Sequence, residues 1–192
     1  MKNNASENSN IPKKKRKKIT SSYLENSGAY YLERFSSSTA QFKVVMIRKI
    51  KKSCLDNPEQ DFQHCLELLD VVIKKFTDLG YLNDKKFAEN TIFALKNKGH
   101  PKFRVELALR QKGVPKMLIE DCLSLLSDNH MKKAALTWVK RKKLGSFSDV
   151  EKPKDYQKSL SSMARAGFDF TTAEWALKLS QEDIDIFMQE QS

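Results

Sequence analysis

The sequence is short of the residues that build sheets and tight turns. It has six glycines and five prolines in 192 residues, and most of them fall where a helix would stop. No stretch alternates apolar and polar residues in the two-residue period of a half-buried strand, and neither Asn-Gly nor Asp-Gly occurs as a hairpin signal. That excludes a β-rich fold, and the chain reads as all-helical. Cysteine is scarce too. Cys54, Cys65 and Cys122 are odd in number and lack Cys-x-x-Cys spacing, which excludes a disulfide framework and points to a reducing compartment. The longest apolar runs fall far short of the ~20 residues that span a bilayer, and the first residues are too polar for a signal peptide. These absences set the expectation of a soluble, cytoplasmic protein with no membrane partner.

The residue groupings that carry catalysis are missing as well. His64, His100 and His130 are scattered with no i, i+4 pairing of ligands, so no metal site is expected. There is no Gly-rich phosphate loop, and no cofactor is implied. Ser36-Ser37-Ser38 has no base fixed beside it and reads as a helix cap rather than a nucleophile. Glu67, Asp70 and Asp78 share a helix with Lys74 and Lys75, the pattern of a solvated face with i, i+4 pairs. The chain is not expected to be an enzyme.

What the sequence has in quantity is positive charge and helical periodicity. The formal net charge is +11, and residues 1–22 alone hold seven Lys or Arg against one Glu. Lys13, Lys14, Lys15, Arg16, Lys17 and Lys18 form an unbroken basic run, read as a disordered arm that attracts a polyanion without reading its sequence. A nuclear localisation signal would have the same composition. Beyond it, Lys102, Arg104, Arg110 and Lys112 crowd one helix with only Glu106 opposing, and Lys140, Arg141, Lys142 and Lys143 close a later one. Cations at a helix C-terminus favour the dipole, but Lys102 and Arg104 lie near a positive N-terminus. Contact with DNA phosphate, single- or double-stranded, or with an acidic partner surface accounts for them better.

The apolar pattern divides the chain into a basic tail (1–22), three units (23–80, 81–127 and 128–180) and a C-terminal tail (181–192). Each unit reads as three helices. In the first, Tyr31, Leu32 and Phe35 face inward from a helix over about 23–35. Ser38 and Gln41 form a capping box before a second helix with Phe42, Val45, Met46 and Ile50 apolar. Asn57-Pro58 opens a third helix, which ends at Gly80. In the second unit, Asn83 caps a helix carrying Phe87, Ala88, Thr91, Ile92 and Leu95, and Pro101 opens another. Gly80, Gly113 and Gly167 sit where a helix needs a left-handed residue to finish. Lys112-Gly113-Val114 before Ile119–Leu123 is echoed by Ala166-Gly167-Phe168 before Ala173–Leu177. Nine helices grouped by threes should stack into an elongated, curved, monomeric body.

The run Gly80-Tyr81-Leu82-Asn83-Asp84-Lys85-Lys86-Phe87-Ala88 resembles a signature of the RecX family, regulators of the RecA recombinase. Leu109-Arg110-Gln111-Lys112-Gly113-Val114 resembles a second, and Tyr31–Ser38 is similar to the family's opening. Gly99-His100-Pro101-Lys102 departs from the Gly-x-Gly form of many members. The resemblance covers about 23–180 and is strongest over 79–123. It implies a tandem three-helix-repeat fold without enzymatic activity. It also implies that the chain binds the RecA–DNA filament along its groove and limits its growth and activities in recombination and repair. A stand-alone DNA-binding protein, with Gly113-Val114-Pro115 as the turn of a helix-turn-helix, is the alternative.

Overall fold

The computed structural model describes residues 15–124, 126, 128–149, 151 and 154–190. Among the described residues every regular element is helical. Three helices come first: α1 (Ser21–Arg34), α2 (Thr39–Asp56) and α3 (Phe62–Asp78). Three more follow: α4 (Asp84–Asn97), α5 (Lys102–Gln111) and α6 (Lys116–Ser124). The last group is α7 (Asp128–Lys142), a 3₁₀ turn at Gly145–Phe147, α8 (Tyr156–Ala166), α9 (Phe170–Lys178) and α10 (Gln181–Glu190). Side-chain oxygens start most of them. Thr20, Ser38, Asp61, Asn83, Asp155 and Asp169 each accept a hydrogen bond from a first-turn amide, and such a cap contributes about 1 kcal/mol.

Burial falls into three separate clusters, one per group of helices. Leu24, Phe42, Met46, Ile50, Leu69 and Phe76 centre the first, Ala88, Val105, Leu109 and Ile119 the second, and Leu136, Val139, Met163, Ala173 and Ile184 the third. Each fully buried aliphatic or aromatic side chain contributes about 1.5–3 kcal/mol, so each group holds its own core. The chain exposes 13404 Å², against roughly 9,300 Å² for a compact monomer of this mass. Residues 1–14, even fully exposed, would add only roughly 2,300 Å². The surplus fits units set in a row rather than wrapped into a sphere.

The turn that ends several helices is the repeated device. Val114 N–H donates to the Leu109 carbonyl (3.2 Å) and Phe168 N–H to that of Met163 (3.2 Å). In each case the residue between is a left-handed glycine, Gly113 or Gly167. This is the 6→1 bond of a Schellman motif, and both its apolar ends, Val114 with Leu109 and Phe168 with Met163, are buried. A further copy escapes the glycine pattern: Leu144 N–H donates to the Val139 carbonyl (3.0 Å) while Lys143 takes the left-handed position at φ 51°. Gly113 carries a second constraint, because a Cβ there would lie 2.5 Å from the Ala40 Cβ of the first unit.

Several expectations are corrected. Phe35 lies in solvent, 55% exposed. Tyr31 and Leu32 do pack against the first core, and Leu24 and Gly28 are buried in it, the latter with space only for hydrogen, since a Cβ would meet the Phe42 and Phe76 rings at 2.8 and 2.9 Å. α3 begins at Phe62 behind the cap Asp61, and Asn57-Pro58 belongs to a turn before it. Pro101 stands at the N-cap of α5 rather than inside its first turn. The expected C-terminal tail includes α10, whose Ile184 is 1% exposed in the third core with Phe187 and Met188 packed against it. The described helices therefore number ten and a 3₁₀ turn, not nine.

The expected disordered arm is ordered over its described part. Residues 1–14, including Lys13 and Lys14, lie outside the described residues. From Arg16 on, the chain is strapped to the first unit, with Ile19 buried in its core. Ser53 Oγ donates to the Lys17 carbonyl (2.7 Å) and Asn57 Nδ2 to that of Arg16 (3.1 Å). Gln60 takes both main-chain groups of Ile19, at 2.8 and 2.9 Å.

Candidate nucleic-acid and partner interface

The basic residues singled out in the sequence separate into those that hold the fold together and those left unpaired. In the strap, Arg16 pairs with Asp56 (3.0 Å) and Lys18 with Glu59 (2.8 Å). The Arg16 amide and guanidinium hold the Asp56 carboxyl below its usual range, and Lys18 does the same for Glu59. Lys15 and Lys17 point into solvent with no ion pair among the described residues. Exposed pairs of this kind contribute about 0–1 kcal/mol each, so the buried Ile19 and the main-chain bonds fix the strap.

The cluster on α5 is split by the geometry of the helix. Ten residues span about 15 Å, and the two ends face different neighbours. At the N-terminal end Arg104 reaches into the third unit: its Nη2 donates to the Arg165 carbonyl (2.8 Å) and its Nε to that of Ala166 (3.2 Å). These are two of the carbonyls left open where α8 stops, and a guanidinium satisfies them while opposing the negative end of the helix dipole. Arg104 thus clamps a joint rather than waiting for phosphate. Lys102 beside it is exposed and makes no ion pair among the described residues. At the other end Arg110 pairs with Glu106 (2.7 Å). The Lys112 carbonyl accepts from Ser38 Oγ, and Thr39 N–H donates to Asp84 Oδ1 (2.7 Å), which ties the first unit to the second.

At the second joint α4 packs on α7, and an aromatic group bridges the units. His100 meets Trp138 edge-on at 5.8 Å, and Trp138 meets Phe168 at 6.2 Å. The Arg141 guanidinium lies over the Trp138 ring at 4.6 Å and the Lys142 ammonium near it at 5.4 Å, contacts worth about 0.5–1 kcal/mol each when exposed. Burial holds the His100 pKa below its ordinary value, and the charges of Arg141, Lys98 and Arg104 lower it further. Lys98 was not among the residues singled out from sequence. Its signal was there, immediately before the left-handed Gly99 of the turn that brings α4 to α7. Lys98, Lys102, Arg141 and Lys142 make no ion pair among the described residues, so this joint has cations to offer. Lys140 lies 3.9 Å from Asp185, and Lys143 serves the left-handed turn.

His130, 4% exposed on α7, has neither ring nitrogen hydrogen-bonded, and burial lowers its pKa with help from Lys96. His64 lies 3.7 Å from Glu67 on α3. Cys65 is buried beside Cys54, and burial first and the neighbouring thiol second push it up to about 11. The turn at Gly113–Pro115 does join two helices, but α6 pairs its one cation, Lys116, with Glu120 (3.5 Å) and adds Asp121. That leaves little for a recognition helix to read with.

No family model matches the chain, and no solved structure matches it. Similar curated proteins share one name. The chain is 26% identical over 163 residues to "Regulatory protein RecX" of Myxococcus xanthus (strain DK1622), a match covering 83% of this chain and 87% of that protein. It is 32% identical over 118 residues to the protein of the same name from Neisseria meningitidis serogroup B, covering 61% of this chain and 72% of the relative. The serogroup A protein is 33% identical over 113 residues, covering 58% and 69%. With three separate helical cores in a row and this identity over most of the relatives' length, the chain belongs to the RecX family of regulatory proteins.

Proposed function

We propose that this chain is a non-enzymatic modulator of the RecA–DNA filament, lying along its groove and restraining recombinase activity in recombination and repair. Membership of the RecX family is the observation that carries the reading. The physical form supports it. A row of separately cored units can follow a regular polymer for several subunits, which a sphere of the same mass cannot do. The net charge of +11 supplies attraction to the DNA within such a filament.

Lys98, Lys102, Arg141 and Lys142 at the second joint, with Lys13, Lys14, Lys15 and Lys17 in the basic segment, are the cations assigned to DNA phosphate or an acidic partner surface. Lys112 and Lys143 stand in reserve at the two joints. Arg16, Lys18, Arg104, Arg110 and Lys140 are already engaged within the chain. The protein acts as a cytoplasmic monomer. The test is the ATPase of RecA on single-stranded DNA with this protein titrated in. The rate falls as protein is added, and a rate that never changes rejects the reading.

A further inference from the structure

A row of five rings runs from the first unit to Tyr81 at the start of the second, and its two ends are wet. Phe35 meets Tyr31 at 5.2 Å, Tyr31 meets Phe42 at 6.2 Å, Phe42 meets Phe76 at 5.8 Å, and Phe76 meets Tyr81 edge-on at 5.6 Å. Phe42 and Phe76 are core, whereas Phe35 and Tyr81 are 55% and 63% exposed. Folding does not require Tyr81 to be aromatic. After Gly80 it is Leu82 that goes into the core, its N–H bonded to the Phe76 carbonyl (3.1 Å). The two wet rings nevertheless line one cleft of about 310 Å³ at the joint between the first two units. Arg34, Lys86, Asn90 and Glu33 line it with them.

The chemistry around the rings is that of a stacking site. Arg34 lies over Tyr30 at 3.9 Å, and neither Arg34 nor Lys86 has a carboxylate partner among the described residues. Asn90 offers both a donor and an acceptor, able to meet the edge of any base. Each exposed ring is backed by another ring, so its face is already in place before a ligand arrives. The cleft is near the small end of the range for ligand sites, which suits one base and not a duplex, whose bases are stacked inside.

We propose that this cleft is a subsite for single-stranded nucleic acid. A base stacks on Phe35 or Tyr81, and Arg34 and Lys86 hold the adjoining phosphates. Because every base has a π-face, such a site accepts any sequence. An acidic peptide would use the two cations but has no need of two flat faces. The inference rests on the reading that the chain meets DNA beside the recombinase, and deepens it by adding base contact to phosphate contact. Glu33 is the one acid among the lining residues, and it opposes the phosphates.

The experiment compares fluorescent oligo-dT with an abasic strand of equal length, titrated with the full chain by anisotropy. In Phe35→Leu/Tyr81→Leu an apolar body remains but the ring faces are gone. Affinity for oligo-dT should fall about tenfold or more while affinity for the abasic strand holds. Tyr81→Trp should restore binding, and Glu33→Gln should strengthen it for both strands. Equal weakening for both strands, or none for either, overturns the proposal. Retained binding of both strands with loss of recombinase inhibition would assign the cleft to a protein and also overturn it. If the wild-type chain binds neither strand, the DNA reading falls and this one with it. On the wild-type chain, photo-crosslinking to an oligonucleotide carrying 5-iodouracil should map to Phe35 or Tyr81; crosslinks only elsewhere reject the site without any variant having to fold.

Discussion

Arg104 Nη2 donates to the Arg165 carbonyl at 2.8 Å, across the joint between the second and third units. The bond joins residues 61 positions apart and, with the Nε bond to Ala166, closes the end of α8 from outside its own unit. Arg104→Ala should therefore cost about 1–2 kcal/mol in urea denaturation, with the helical circular dichroism of the native state unchanged. Arg104→Lys should recover only part, since an ammonium cannot fork to two carbonyls. A substitution to Ala with no effect on stability would return Arg104 to the phosphate-binding set.

Gly80 and Gly113 share a positive φ, 76° and 71°, but not surroundings. A Cβ at Gly80 meets nothing within 4 Å, whereas one at Gly113 runs into Ala40 at 2.5 Å. Gly80→Ala should cost about 1–2 kcal/mol for the left-handed backbone alone. Gly113→Ala should cost that plus about 1–3 kcal/mol for overpacking, and Ala40→Gly should rescue only the second part. Equal losses for the two single variants, measured by urea denaturation, would contradict the close joint.

Removing residues 1–14 should leave the urea midpoint where it is. Removing 1–19 should cost about 2–4 kcal/mol, through the lost burial of Ile19 and the unmade bonds at Ser53, Asn57 and Gln60. A basic arm without a structural role would give two identical melts.

One buried and one half-buried histidine fix a pH dependence. In His130 and His100 the folded-state pKa lies below the ordinary 6.5, chiefly through burial. The unfolded chain therefore takes up protons that the folded chain refuses. Stability is complete above about pH 6.5 and falls as pH drops below it. Carboxylates such as Asp56 and Asp169, held below their usual range by hydrogen bonds, act only at lower pH, losing their contribution as pH falls from about 4. Urea midpoints between pH 7.5 and 5 should thus decline, and His130→Leu should flatten the decline. A flat wild-type profile in that window would contradict the burial of His130 and the half-buried setting of His100.

What could be read from the sequence was local. A Schellman turn involves only six residues, so Leu109–Val114 and Met163–Phe168 carry their whole signal in one short run, as do the caps Ser38 and Asn83. The cores followed from 3.6-residue periodicity wherever one face was apolar, as on α2 and α3. Reading failed where a partner lay far along the chain or the residue type misled. Gly28 sits in the core because Phe42 and Phe76 fill the space its side chain would take, while Phe35 beyond the end of α1 looks apolar and is wet. Arg104 looked like a spare cation because α8, whose end it closes, begins about fifty residues later. Lys143 hid a turn because it takes a conformation usually given to glycine. The strap from Arg16 to Thr20 was lost under its own charge, with Ile19 the single apolar clue.

The three cores are not continuous with one another; a few polar bonds, the close approach at Gly113 and, at the second joint, the packing of α4 on α7 with its aromatic bridge join them. Heat or denaturant should accordingly take the chain apart in stages, with calorimetric enthalpy exceeding the van't Hoff value. Under load the same arrangement gives at its seams first: a molecule stretched along a lattice that lengthens would lose the Arg104 and Ser38 bonds while each group of helices stayed shut, and would regain its length when the lattice relaxed.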